Sequence, residues 1–156
     1  MYKVRFIWVG KTQEPYLKTG IQHYLAKLKH YVTIECLEIK PSDYAHVTQA
    51  QCISKETELI LKKINPSETT IILDERGSQK TSVQLAEWLE ELKTIQHSRV
   101  NFVMGGAFGL EVSRFKKPHQ LSLSAMTYTH QMVRLILLEQ VYRAFTITNG
   151  ESYHHF

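Results

Sequence analysis

The sequence predicts an α/β fold: a mainly parallel five-stranded sheet with helices on both faces. Three observations point there. The hydrophobic period switches several times between strand-like runs and helix-like spacings of three and four. Two strand candidates in the second half, Thr69–Asp74 and Arg99–Met104, are short and apolar almost throughout, as strands covered on both faces are. The length of 156 residues suits one domain, residues 1–156, and lets the chain bury roughly two-thirds of its unfolded surface.

The elements follow in order. Lys3 to Val9 is apolar and rich in strand formers, and it stops at Gly10. Pro15 to Lys29 carries Leu17, Ile21, Tyr24, Leu25 and Leu28 at helical spacing, with Pro15 suited to a first turn. Val32 to Ile39 alternates as a strand does, and Pro41 to His46 is loop. Thr48 to Ile64 places Ile53, Leu59, Ile60, Leu61 and Ile64 on a helix that Asn65-Pro66-Ser67 ends. Thr69 to Asp74 is the third strand, closed by Asp74 to Gly77. A helix follows from Ser82 to Lys93, with Ser82 as its expected cap. Arg99 to Met104 is the fourth strand and Gln120 to Ser124 the fifth. His130 to Thr146 is the longest and most regular helix.

Composition excludes several classes. With 43% apolar residues, 22% charged, 7 Gly and 4 Pro, the chain is neither disordered nor of low complexity. Cys36 and Cys52 build no disulfide framework and lack zinc-site spacing, so a reducing compartment and no metal are expected. No apolar run approaches the ~20 residues that span a bilayer. The apolar N-terminal stretch is not followed by a small-residue cleavage site. A cytoplasmic protein with no membrane partner is expected. The net charge of +4 permits a polyanionic partner such as RNA without requiring one.

Parallel sheets bind ligands beyond the carboxyl ends of their strands. Three segments leave those ends with unusual content: Asp74–Ser78, Gly105–Leu110 and Ala125–His130. If their strands are neighbours, these segments meet in one crevice. Gly105-Gly106-Ala107-Phe108-Gly109 matches neither a P-loop nor a dinucleotide fingerprint. Its glycines suit either a tight turn or a close backbone approach to a ligand. The backbone of Ser122 to His130 suits a polar ligand such as an adenine or an amino acid, while Thr127 or Thr129 suits a helix cap. In the last helix Glu139 and Arg143 are spaced for an ion pair. They continue a stripe from Met132 and Ile136 that suits a partner subunit, a site or plain core. No nucleophile signature is present.

Phe102-Val-Met-Gly-Gly-x-x-Gly-Leu110, Leu121-Ser-Leu-Ser-Ala-Met-Thr127, His130-Gln-Met-Val-Arg-x-x-Leu-x-Glu-Gln-Val-Tyr-Arg-Ala-Phe145 and the final Tyr153-His154 resemble one family across essentially the whole chain. It is the ribosomal RNA large subunit methyltransferase H family, in the SPOUT or α/β-knot superfamily. The resemblance implies an S-adenosyl-L-methionine-dependent enzyme that methylates N3 of a pseudouridine in 23S rRNA of the assembled ribosome. It also implies a homodimer and a C-terminal trefoil knot. Carried over by position, Leu73, Gly105 and Leu123, Ser124, Ala125, Met126, Thr127 and Tyr128 would contact the cofactor. His154, Tyr153 and Arg143 are the catalytic candidates, with His130 and Arg134 behind them. The C-terminal tail of one subunit would reach the other subunit's site.

Two positions depart from the family pattern. Thr129 stands where a Pro usually precedes the histidine, and Ala107-Phe108 puts a bulky ring between the glycines. Phe108 suits base stacking, a dimer interface or a cover for the cofactor. Two other readings are a non-catalytic ribosome-binding factor and a SPOUT enzyme acting on tRNA. Calorimetry with S-adenosylmethionine separates the first of these. The absence of an appended RNA-binding domain disfavours the second.

Overall fold

The structure, a computed structural model, describes residues 2–95 and 99–156. Five strands form one sheet: β1 (Lys3–Val9), β2 (Thr33–Ile39), β3 (Thr69–Gln79), β4 (Arg99–Met104) and β5 (His119–Ser122). Four helices connect and follow them: α1 (Pro15–Leu28), α2 (Gln49–Leu61), α3 (Ser82–Ile95) and α4 (Met132–Thr148). The strand order is β2-β1-β4-β3-β5, and all four pairings are parallel.

Strand alternation divides the core between two faces. Val4, Phe6 and Trp8 of β1 and Val100, Phe102 and Met104 of β4 point to one side. There they meet Ile21 and Leu28 of α1, Leu85, Ala86 and Leu89 of α3, and Leu137, Leu138 and Val141 of α4. Phe6 and Phe102 occupy paired positions and stack at 5.5 Å between centroids. Ile7, Val9, Ile72 and Val103 point to the other side, which Ile60 of α2 and Phe115 cover. Helices thus lie on both faces, with three on one and α2 on the other.

Several element boundaries differ from the sequence expectation, each for a local reason. β3 does not end at Asp74. Leu73 and Ser78 both pair with Leu121, so residues 74–77 loop out and the strand resumes to Gln79. Gly77 makes the return possible. A Cβ there would lie 2.7 Å from the Gln120 carbonyl carbon and the Leu121 nitrogen. α3 is capped by Thr81 rather than Ser82. The Gln84 amide donates to the Thr81 hydroxyl at 3.1 Å, and the Gln84 side chain accepts from the Thr81 amide at 2.8 Å. Thr48 and Gln51 cap α2 in the same reciprocal way. α2 ends at Leu61, before the expected Ile64, and β5 ends at Ser122, which frees Leu123 and Ser124 from the sheet. α4 starts at Met132 rather than His130, where the Met132 amide donates to the Thr129 hydroxyl at 3.1 Å. Among the described residues, no helix is long and apolar enough to cross a membrane.

Candidate active site

β4, β3 and β5 are consecutive in the sheet, so the segments that leave their carboxyl ends are neighbours. They enclose a cavity of about 640 Å³. Leu73 to Arg76 forms one wall, Met104 to Leu110 another, and Leu121 to Ser124 with Met126 to His130 the third. Seven of the eight cofactor candidates line it: Leu73, Gly105, Leu123, Ser124, Met126, Thr127 and Tyr128. Ala125 is exposed and lies off the wall, because the chain turns outward there. That turn is held by the Ser122 hydroxyl, which donates to the Ser124 carbonyl at 2.8 Å. The Met126 amide donates to the Ser124 hydroxyl at 2.9 Å.

Among the described residues, the backbone of residues 123–128 makes no hydrogen bond to other backbone. A stretch of that kind leaves N–H and C=O groups in need of partners at the cavity wall. Apolar side chains (Ile72, Leu73, Met104, Leu110, Leu123 and Val133) supply the remaining surface.

The mouth is acidic at one corner. Asp74 accepts from the Arg76 amide at 2.9 Å and from its guanidinium at 3.1 and 3.0 Å. Those bonds hold the Asp74 carboxyl below its ordinary range, so it stays ionised at neutral pH. Glu75 accepts from the Thr127 hydroxyl at 2.6 Å, which ties the β3 loop to the segment after β5.

His130 stands on the wall, its imidazole held below the ordinary value by burial and then by the charge of Arg134. Arg134 does not reach the cavity. It is fully buried and donates to the carbonyls of Gly10 at 3.0 Å and Val9 at 2.6 Å, and to the Thr12 hydroxyl at 3.0 Å. Its guanidinium carbon lies 5.2 Å from the Trp8 ring centre. Arg134 therefore clamps α4 to the end of β1 and is a positioning residue.

The three catalytic candidates cluster together, but on α4 and the C-terminal tail, outside the cavity of their own chain. Arg143 donates to Glu139 from its Nε at 3.1 Å and lies 3.3 Å from His154 Nδ1. Tyr153 donates to Glu139 at 3.0 Å and receives the Arg143 guanidinium 4.7 Å above its ring. Tyr24 of α1 sits 3.4 Å from the Tyr153 hydroxyl, and Lys27 lies over the Tyr142 ring at 5.0 Å. Burial, followed by the bonds to Tyr24 and Glu139, raises the Tyr153 phenol above its ordinary value. The bond to Glu139 raises Arg143 further.

Two residues escaped sequence reasoning. Glu56 is 1% exposed on α2, with its carboxylate accepting from the Ser42 amide at 2.9 Å. Its spacing with Cys52 and Ile60 puts it on the apolar stripe, which was the available signal. Tyr44, in the β2–α2 loop, packs edge-on against Phe108 at 5.5 Å, and nothing local in the sequence marks it.

The chain belongs to the SPOUT methyltransferases: a family model described as "Predicted SPOUT methyltransferase" matches residues 2–154. Among similar proteins, the ribosomal RNA large subunit methyltransferase H of Geotalea daltonii is 42% identical over 154 residues, covering 98% of this chain and 99% of its own. Its counterparts from Trichlorobacter lovleyi and Parabacteroides distasonis are each 40% identical, with the same coverage of both chains.

Proposed function

We propose that this chain is an S-adenosyl-L-methionine-dependent methyltransferase acting on N3 of a pseudouridine in 23S rRNA of the assembled ribosome. In this reading it is one SPOUT domain that works as a homodimer and carries the C-terminal trefoil knot the family resemblance implies. Full-length similarity to proteins named for rRNA methylation is the observation that carries the reading.

The cavity suits the cofactor. Its volume falls within the range of ordinary ligand sites, and it offers apolar side chains beside backbone groups that have no backbone partner. S-Adenosylmethionine, when bound, supplies a methyl group on a sulfonium. Leu73, Gly105 and the stretch from Leu123 to Tyr128 would hold it. The residues around the acceptor have two tasks. They hold the acceptor nitrogen in line, and they stabilise the nucleobase anion left when its N3 proton passes to solvent water.

His154, Tyr153 and Arg143 are suited to the second task as donors. The raised phenol of Tyr153 keeps its proton, and Arg143 stays a cation. When His154 Nδ1 accepts from Arg143, the ring's other nitrogen carries the hydrogen. In one chain this group stands apart from the cavity, so the reading needs a second subunit whose tail completes the site. Mass spectrometry of rRNA nucleosides from a deletion strain tests the whole: one methylpseudouridine should be missing, and an unchanged profile refutes the assignment.

A further inference from the structure

We propose that Phe108, braced by Tyr44, is a stacking platform for an unpaired nucleobase of the RNA substrate, at the Gly105–Leu110 rim of the cavity. This rests on the methyltransferase reading above. Phe108 is 42% exposed and Tyr44 41%, so two large rings face water side by side. They are not loose. The amide of Gly109 donates to the carbonyl of Gly106 at 3.1 Å, and Gly109 takes a φ of +81°, which closes a tight turn with Phe108 near its tip.

The base of the turn is equally fixed. A Cβ on Gly106 would lie 2.7 Å from the Tyr44 hydroxyl and 2.8 Å from Glu56 Oε1, so only glycine lets these groups close behind the loop. Thr57 completes the support, its hydroxyl accepting from the Glu111 amide at 3.0 Å. Tyr44 lies near the buried Glu56 carboxylate and meets Phe108 edge-on at 86°, which braces the Phe108 ring.

Position and charge select the occupant. The cofactor candidates other than Gly105 sit on the β3 and β5 side of the cavity, whereas Tyr44 follows β2 at the opposite edge of the sheet. Lys11 and Lys40 are exposed at the joined ends of β1 and β2, and neither forms an ion pair among the described residues. Exposed flat rings, with Lys11 and Lys40 at the ends of the neighbouring strands, suit a splayed base and its phosphate. Bases within an RNA helix present no free ring face.

The test uses the full chain with Phe108→Ala, Phe108→Trp and Tyr44→Ala. KM and kcat are measured on ribosomes, co-sedimentation with large subunits is measured without cofactor, and S-adenosylmethionine affinity is measured by calorimetry. Light scattering gives the dimer mass. Phe108→Ala should raise the KM for ribosomes about tenfold and weaken co-sedimentation by a similar factor, in keeping with the loss of one base stack. Because Phe108 also lines the cavity, the cofactor control is Tyr44→Ala, whose S-adenosylmethionine affinity should stay within about twofold while its KM for ribosomes rises, and Phe108→Trp should recover most of the ribosome affinity. A parallel loss of cofactor affinity in Tyr44→Ala, a weakened dimer or an unchanged KM each overturns the platform while leaving the methyltransferase reading in place. Wild-type protein that leaves ribosomes unmethylated overturns that reading, and the platform with it.

Discussion

Arg134 shows how far a side chain's role depends on where its helix lands. It lies near the site in sequence, yet its guanidinium faces inward to three oxygens at the end of β1. Burial pushes its pKa down to about 10, which still leaves it charged at neutral pH. Arg134→Met should destabilise the fold by roughly 3 kcal/mol in urea unfolding, because buried carbonyls lose charged donors. Arg134→Lys should not restore it, since an ammonium lacks the fork that spans those acceptors. His130 gives a pH signature. Its folded pKa lies below the unfolded value, so the unfolded chain takes up a proton first as pH falls through the ordinary histidine range. Stability therefore declines on acidification there, and thermal melts at pH 5 and 8 should differ less in His130→Gln than in wild type.

At the scale of elements, the broken third strand is the decisive feature. Residues 74–77 loop out of the β3–β5 ladder and supply one wall of the cavity. Gly77→Ala forces a methyl group against the Gln120–Leu121 backbone, where nothing flexible can yield. The expected outcome is a loss of about 1–3 kcal/mol in stability and a weaker calorimetric response to S-adenosylmethionine. Periodicity read the apolar part of this strand well, because burial on both faces leaves a plain β-branched run. It missed the continuation to Gln79, because Glu75, Arg76 and Ser78 look like loop when their partner strand is unknown. The Thr81 cap was legible in the Thr-x-x-Gln pattern, whereas α4 begins at Met132, two residues later than its apolar spacing suggested, with Gln131 at the N-cap making no side-chain cap bond.

For the whole molecule, the spatial split between cavity and catalytic candidates makes a direct prediction about two chains. A variant crippled in the tail, His154→Ala, and one crippled in the cavity, Gly105→Leu, should each be inactive alone. Mixed and allowed to exchange, they should recover roughly a quarter of wild-type methylation, since half the dimers then hold one intact composite site. No recovery after verified exchange rejects a shared site. In the proposed homodimer the charge of +4 per chain would double to about +8, a stronger field for approaching rRNA.

The amino-acid order by itself determined the alternation of strands and helices, the three segments that form the crevice, and the family. These depend on local spacing, on strand-end chemistry and on contiguous motifs such as Glu139 to Ala144. Tertiary structure alone decided that β4, β3 and β5 are adjacent and that Arg134 turns inward. It also decided that Tyr44 braces Phe108 and that Tyr153 and His154 fold back onto α4. Most of those facts join residues far apart in the chain, and even the short return of the tail onto α4 is set by packing against partners that no local pattern encodes.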